Sequence, residues 1–225
     1  MNPEFSVKRA HRTQLELSKN IILKDKLPRK IRYVAGVDAA YIGQLSIGTP
    51  AVLDYDSLEV IEEETACCST SLPYIPTLLS FREIMPTVMC IRRLHVQPDL
   101  FLVDGHGFAH PYRCGFASHL GLVIGKPTIG VAKEKLVGNV VHAKGEPAFI
   151  SRDGEVIGAA VNTGKGPKPI YVSVGHMVSL ETAIKIVKHC IGASRVPEPI
   201  SKAHKIANAE KTKNQYPSAA KARHK

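Results

Sequence analysis

Residues 31–42 read IRYVAGVDAAYI. The run is rich in β-branched residues and alternates, which predicts a strand. Period two places Val34, Gly36, Asp38 and Ala40 on one face. A carboxylate among small apolar neighbours is costly unless it is paired or holds a metal. The same stretch therefore starts the sheet and supplies the first candidate for chemistry.

Two further strands are expected after it, at residues 47–55 and 58–70, joined by a hairpin turn at 54–57; Gly48-Thr49-Pro50 is a candidate interruption in the first of them. Later the pattern changes. Residues 100–103, LFLV, form a short apolar run of the buried parallel-strand type, with Asp104 at its end. Strands are expected at 128–131, 150–163 (with a turn at Arg152-Asp153-Gly154-Glu155) and 170–174. Helices are expected at 6–27, 77–83, 86–95 and within 116–125, with Pro86 opening the third of these. A last helix at 179–191 has Ser179 as N-cap, Thr182 at N3 and Glu181 in the first turn. Three antiparallel strands followed by alternating helices and strands predict an α/β fold, a mixed sheet covered by helices.

At 225 residues and 44% hydrophobic the chain suits one domain with a tail, residues 1–207 and 208–225. No run of eighteen apolar residues is present, so no membrane span is expected, and MNPEFSVKRAHR lacks the apolar core of a secretion signal. The five cysteines are odd in number, have no CxxC spacing and include the adjacent pair Cys67-Cys68. That argues against a disulfide framework or a zinc site, and a cytoplasmic protein with reduced thiols is expected. The net charge is +10, and residues 201–225 carry seven Lys or Arg against one acid, Glu210. Such a tail suits a polyanion such as nucleic acid, although a solvated tail explains it equally well. Few large apolar residues follow Asn208, which predicts disorder there.

Three acids are candidates. Asp38 alone is explained by a salt bridge, Asp104 before Gly105-His106-Gly107 by a tight turn, and Glu83 beside Arg82 by a solvated helix face. Together, converging from strands and a helix at one sheet edge, they would hold Mg²⁺ or Mn²⁺, ions that prefer oxygen ligands. Such an ion beside a phosphodiester polarises the phosphoryl oxygen and lowers the pKa of an attacking water. On a basic chain this points to a nuclease. Lys133, His110, His119 and His204 are candidate basic groups. The segment LPYIPTLLSFRE, residues 72–83, holds Tyr74 and Ile75 between Pro73 and Pro76, an apolar tip on a stiff turn.

VAGVDAAY, LPYIPTLLSFRE, PDLFLVDGHGFAHPYRCGFASHLG, KPTIGVAKEKLVG and PIYVSVGHMVSL, with RVPEP and KAH after them, resemble in order the signature segments of endonuclease V, from about residue 6 to about residue 205. The resemblance implies a ribonuclease H-like fold and a Mg²⁺-dependent endonuclease, with Mn²⁺ as a substitute. It implies cleavage of the second phosphodiester bond 3′ to deoxyinosine or inosine, leaving a 3′-hydroxyl and a 5′-phosphate. It assigns Asp38 and Asp104 as metal ligands, Glu83 as the third acid, and Lys133 and His204 as basic assistants. Pro73, Tyr74, Ile75 and Pro76 would form a wedge at the lesion. Leu79, Gly105, His110, Gly115 and Leu136 would lie at or near the base pocket. Thr77 stands where the family often has Gly, Phe116 replaces a smaller pocket residue, and Ile200-Ser201 replaces a usual Thr-Arg. The partners implied are DNA or RNA containing inosine, met by a monomer. Rival readings are an inosine-directed endoribonuclease, a junction resolvase or other ribonuclease H-like nuclease, and a non-enzymatic nucleic-acid binder.

Overall fold

The computed structural model describes residues 5–70, 72–141 and 147–215. Strand β1 (Tyr33–Ile42) pairs antiparallel with β2 (Leu45–Asp54), which carries β3 (Val60–Glu63) and β4 (Ala66–Ser69) on its outer side. On its other side β1 pairs in parallel with β5 (Leu100–Asp104), and β5 with β6 (Thr128–Ala132). The sheet then turns antiparallel again through β10 (Ile170–His176), β9 (Glu155–Val161), β8 (Ala148–Arg152) and β7 (Asn139–Val141). The described strands follow the order β3-β2-β1-β5-β6-β10-β9-β8-β7, with β4 on β2. The parallel part is thus β1-β5-β6 alone.

Helices cover both faces. Even-numbered β1 and β5 residues, Val34, Leu100 and Leu102, pack with Ile184 and Val187 of α4 (Leu180–His189) and Ile200 and Ala203 of α5 (Glu198–Gln215). The odd-numbered set, Ala35, Val37, Phe101 and Val103, packs with Val88 of α2 (Leu79–Ile91) and Phe116, Ala117 and Leu120 of α3 (Phe116–Ile124). Alternation along the strands decides which helix each residue meets. Gly36 permits the close seating of α5: a Cβ there would stand 1.9 Å from the Pro199 carbonyl oxygen.

Several expectations are corrected. The first helix, α1 (Val7–Ser18), stops well short of residue 27, because the following segment bonds to the end of β10: Ile22 O accepts from Met177 N–H and Met177 O from Lys26 N–H. Pro50 does not break β2. Its carbonyl points outward to Glu64 N–H, so the N–H it lacks would also have pointed away from β1. The strand expected at 58–70 is two, β3 and β4, whereas the turn expected at 152–155 is present and makes residues 148–161 the hairpin β8–β9, with Asp153 and Gly154 both at positive φ. The helices expected at 77–83 and 86–95 are one helix, α2, with Pro86 inside it. The carbonyl that Pro86 deprives of a helical donor is that of Arg82, and Ser46 Oγ donates to it instead at 3.2 Å. The disorder expected from residue 208 is also corrected, since α5 runs on to Gln215. Ala203 and Ala207 anchor it, and in its last turns Thr212 Oγ1 donates to Asn208 O and Asn214 Nδ2 to Glu210 O and Oε1. The rest of the tail lies outside the described residues.

Candidate active site

In the parallel ladder Val37 of β1 sits opposite Val103 of β5. Asp38 and Asp104 are the next residues on each strand, so register and parity set both carboxylates on the face covered by α5. Pro199 of that helix lies over Gly36, and one helical turn beyond Ile200 the His204 ring reaches Asp38: Nδ1 donates to Oδ2 at 2.7 Å. Asn208 Nδ2 donates to His204 Nε2 at 2.9 Å and fixes the ring from the other side. Lys133, just past β6, donates to Asp104 Oδ2 at 2.6 Å.

Asp38, Asp104 and His204 each offer one ligand atom, and these atoms lie within 4.8 Å of one another. The two carboxylates suit a divalent ion that prefers oxygen ligands, with the imidazole, both of whose nitrogens are hydrogen-bonded, standing beside them. Charge supports this. Asp38 is only 8% exposed, and burial, then the neighbouring Asp104 charge, push its carboxyl above its ordinary value. A cation between them would relieve both effects. The structure thus brings together Asp38, Asp104, Lys133 and His204.

Glu83 is close but differently placed. It lies on α2 and accepts a hydrogen bond from Tyr41 Oη, on the odd-numbered side of β1. It is 5% exposed, and burial first, then the charges of Asp38 and Asp104, push its carboxyl up to about 8 against the opposing effects of Tyr41 and Arg82. The Arg82 guanidinium stacks over the Tyr41 ring at 4.1 Å. In the metal-free protein Glu83 therefore favours its protonated form beside the carboxylate pair near neutral pH. Tyr41 and Asn208 were not singled out from sequence. Tyr41 has opposite parity to Asp38, and its partner is 42 residues away.

Beside Asp104 a pocket of about 190 Å³ opens between the 73–80 segment and the loop before α3. Of the residues singled out from sequence, Tyr74, Pro76, Leu79, Gly105, His110, Gly115 and Leu136 line it, whereas Pro73 and Ile75 do not. Tyr74 is 66% exposed at the tip. Leu78 N–H donates to Ile75 O, closing a turn with Pro76 second and Thr77 third. Thr77 has φ 76°, the position a type II turn reserves for Gly. A β-branched residue there costs on the order of 1–3 kcal/mol and persists only where its surroundings hold it. His106 and His110 also line the pocket, and burial pushes each down to about 4, so both are neutral near pH 7. His110 Nδ1 accepts from Tyr112 N–H at 3.2 Å. His119 stands apart from this group, its ring tilted against Phe81.

A mixed sheet carrying two carboxylates on adjacent parallel strands, roofed by a helix that adds a histidine, is an arrangement suited to a metal-dependent nuclease. A family model described as Endonuclease V matches residues 15–205. Endonuclease V of Thermofilum pendens is 43% identical over 206 residues, covering 91% of this chain and 89% of the relative. The crystal structure of Endonuclease V from Streptomyces avermitilis has TM-score 0.85 and 34% identity, with 94% and 96% of the two chains covered. Endonuclease V of Ciona intestinalis, in complex with a 24mer DNA containing an inosine followed by a ribo-adenosine, has TM-score 0.84 and 36% identity, covering 92% and 98%. The chain belongs to the endonuclease V family. No described helix is long and apolar enough to cross a membrane.

Proposed function

We propose that the protein is a Mg²⁺-dependent endonuclease that recognises inosine or deoxyinosine and cleaves the second phosphodiester bond on its 3′ side, leaving a 3′-hydroxyl and a 5′-phosphate. The observation that carries this reading is the convergence of Asp38, Asp104 and His204 within 4.8 Å, beside a pocket with an apolar wedge at its mouth. Asp38 and Asp104 would hold the ion, with Mn²⁺ able to substitute. When bound, Mg²⁺ supplies Lewis acidity to the phosphoryl oxygen and to water.

The chain's own groups do the rest. Lys133 places its ammonium at Asp104, where it offsets charge on a phosphate. His204, held between Asp38 and Asn208, orients a proton at the site. Protonated in the metal-free protein, Glu83 would limit the negative charge beside the pair there. Tyr74 and Ile75 press into the base stack as the altered base leaves it, and mispairing lowers the cost of extrusion. The pocket lined by Gly105 and Gly115 would receive the altered base; the N–H groups of these two glycines are themselves bonded to Val131 O and Gly107 O, so a different donor of the pocket would pair with the carbonyl that distinguishes hypoxanthine from adenine, and adenine's amine would leave that donor unpaired. Grip on the strand comes from Lys and Arg on phosphates, so binding weakens with salt. The protein acts as a monomer in the cytoplasm.

A second reading, an inosine-directed endoribonuclease, draws on the ribo-adenosine that follows inosine in the strand bound by the Ciona relative. Cleavage in Mg²⁺ of end-labelled DNA and RNA strands, each with and without inosine, tests both. Cutting only where inosine is present supports the proposal, and the preferred polymer separates the two readings. Equal cutting of strands lacking inosine would refute it.

A further inference from the structure

The N-terminal helix α1 reaches the pocket through polar contacts that the chemistry above does not use. Gln14 is fully buried. Its amide nitrogen donates to Thr77 O at 2.8 Å and to Cys114 O at 2.9 Å. Thr77 belongs to the wedge side of the pocket, and Cys114 directly precedes Gly115 and Phe116 on the opposite side. One amide therefore spans two walls. Its Oε1 has no hydrogen-bond partner among the described residues, a cost that a helix held by apolar packing alone would not need to carry.

One turn earlier, His11 Nε2 meets Thr77 Oγ1 at 3.0 Å. The His11 ring stacks on Tyr112, centroids 3.9 Å apart and planes 18° from parallel, and Tyr112 N–H in turn holds the pocket residue His110. Thr77 is thus tethered to α1 by both hydroxyl and carbonyl, at the turn position where its backbone is strained. By contrast α1 has little apolar anchorage. Val7 and Leu15 are exposed, and no α1 residue belongs to the apolar clusters of the described core. Ala10 is its one buried apolar residue, so the polar ties of Gln14 and His11 carry much of its attachment to the pocket.

We propose that α1 is a brace that fixes the width of the base pocket, with Gln14 and His11 as positioning residues for base selectivity. The proposal rests on the reading of this pocket as the base site. Gln14→Met keeps length and volume but donates nothing; His11→Ala, at a partly exposed position, removes the second tie and serves if Gln14→Met does not fold. Thr77→Val keeps the shape and loses the hydroxyl, and should match His11→Ala.

The test is the Kd, without divalent metal, for strands carrying inosine or adenosine at one position, together with the saturated single-turnover rate in Mg²⁺ and a urea midpoint. Each folded variant should bind the inosine strand about tenfold more weakly, with adenosine binding unchanged and the saturated rate within about twofold. A folded variant that keeps the parent's inosine-to-adenosine ratio overturns the brace. So does a fall in saturated rate with that ratio intact, which would place the action of α1 at the carboxylates. A parent without any inosine preference would instead overturn the base-pocket reading, and the brace with it.

Discussion

Replacing Glu83 by Gln should remove a pH dependence of stability from the metal-free protein. Glu83 is 5% exposed beside Asp38 and Asp104, and its carboxyl is pushed up to about 8 from an ordinary 4.5. The folded protein then keeps a proton that the unfolded chain releases near pH 4.5. The resulting stabilisation is complete below that value and is lost as pH rises toward 8, at about 1.4 kcal/mol per unit where the difference is one full proton. Buried His106 and His110, held near 4, act with the opposite slope, but only below the ordinary histidine value of 6.5. Between pH 6.5 and 8.0 the Glu83 contribution is therefore separable, and it falls by roughly 1.5 kcal/mol once its own ionisation near 8 is included. Urea unfolding followed by circular dichroism, in chelator, measures this at the two pH values. The parent should lose roughly 1.5 kcal/mol more than Glu83→Gln across the window. Parallel behaviour of the two proteins would show that Glu83 is already ionised in the fold, and the protonated role given to it would be wrong.

Three further outcomes follow from the same geometry. Asp104→Asn removes a carboxylate and the Lys133 partner together, so Mg²⁺-dependent cleavage should fall at least about a hundredfold while strand binding in chelator persists, as read by gel shift and single-turnover rates. Tyr74→Ala, at a side chain 66% exposed, should leave the unfolding free energy from urea within about 0.5 kcal/mol of the parent but weaken binding of inosine strands about tenfold or more, given roughly 1–3 kcal/mol for a stacked aromatic. Gly36→Ala sets a methyl 1.9 Å from the Pro199 carbonyl, so α5 must shift; a loss of about 3 kcal/mol in urea unfolding is expected, with lower activity because His204 moves away from Asp38.

Much of this arrangement was legible before any coordinates. The alternation in residues 31–42 predicts β1 and assigns Asp38 to the Val34–Gly36–Ala40 face, the face α5 covers. LFLV predicts β5 with Asp104 at its end. The Ser179 cap is realised, its hydroxyl accepting from Thr182 N–H at 3.2 Å. Local signals sufficed because each depends on neighbours a few residues apart. They failed where a distant group supplied what the local sequence lacked. Pro86 reads as a helix break until Ser46, 36 residues away, donates to the abandoned carbonyl. The antiparallel return of β10 onto β6, and α5 itself, for which no helix is expected from sequence, depend likewise on packing that no local pattern encodes.

The sequence by itself determined most of the strands and helices, the two carboxylates and the stiff apolar tip, since periodicity, proline and the cost of a buried charge act over short distances. Tertiary structure alone decided how those parts meet. It set His204 on Asp38 across 166 residues, turned Glu83 toward Tyr41, and tied Thr77 to Gln14 across 63. Such contacts are fixed by strand register and by the seating of helices on the sheet, which belong to the folded chain as a whole.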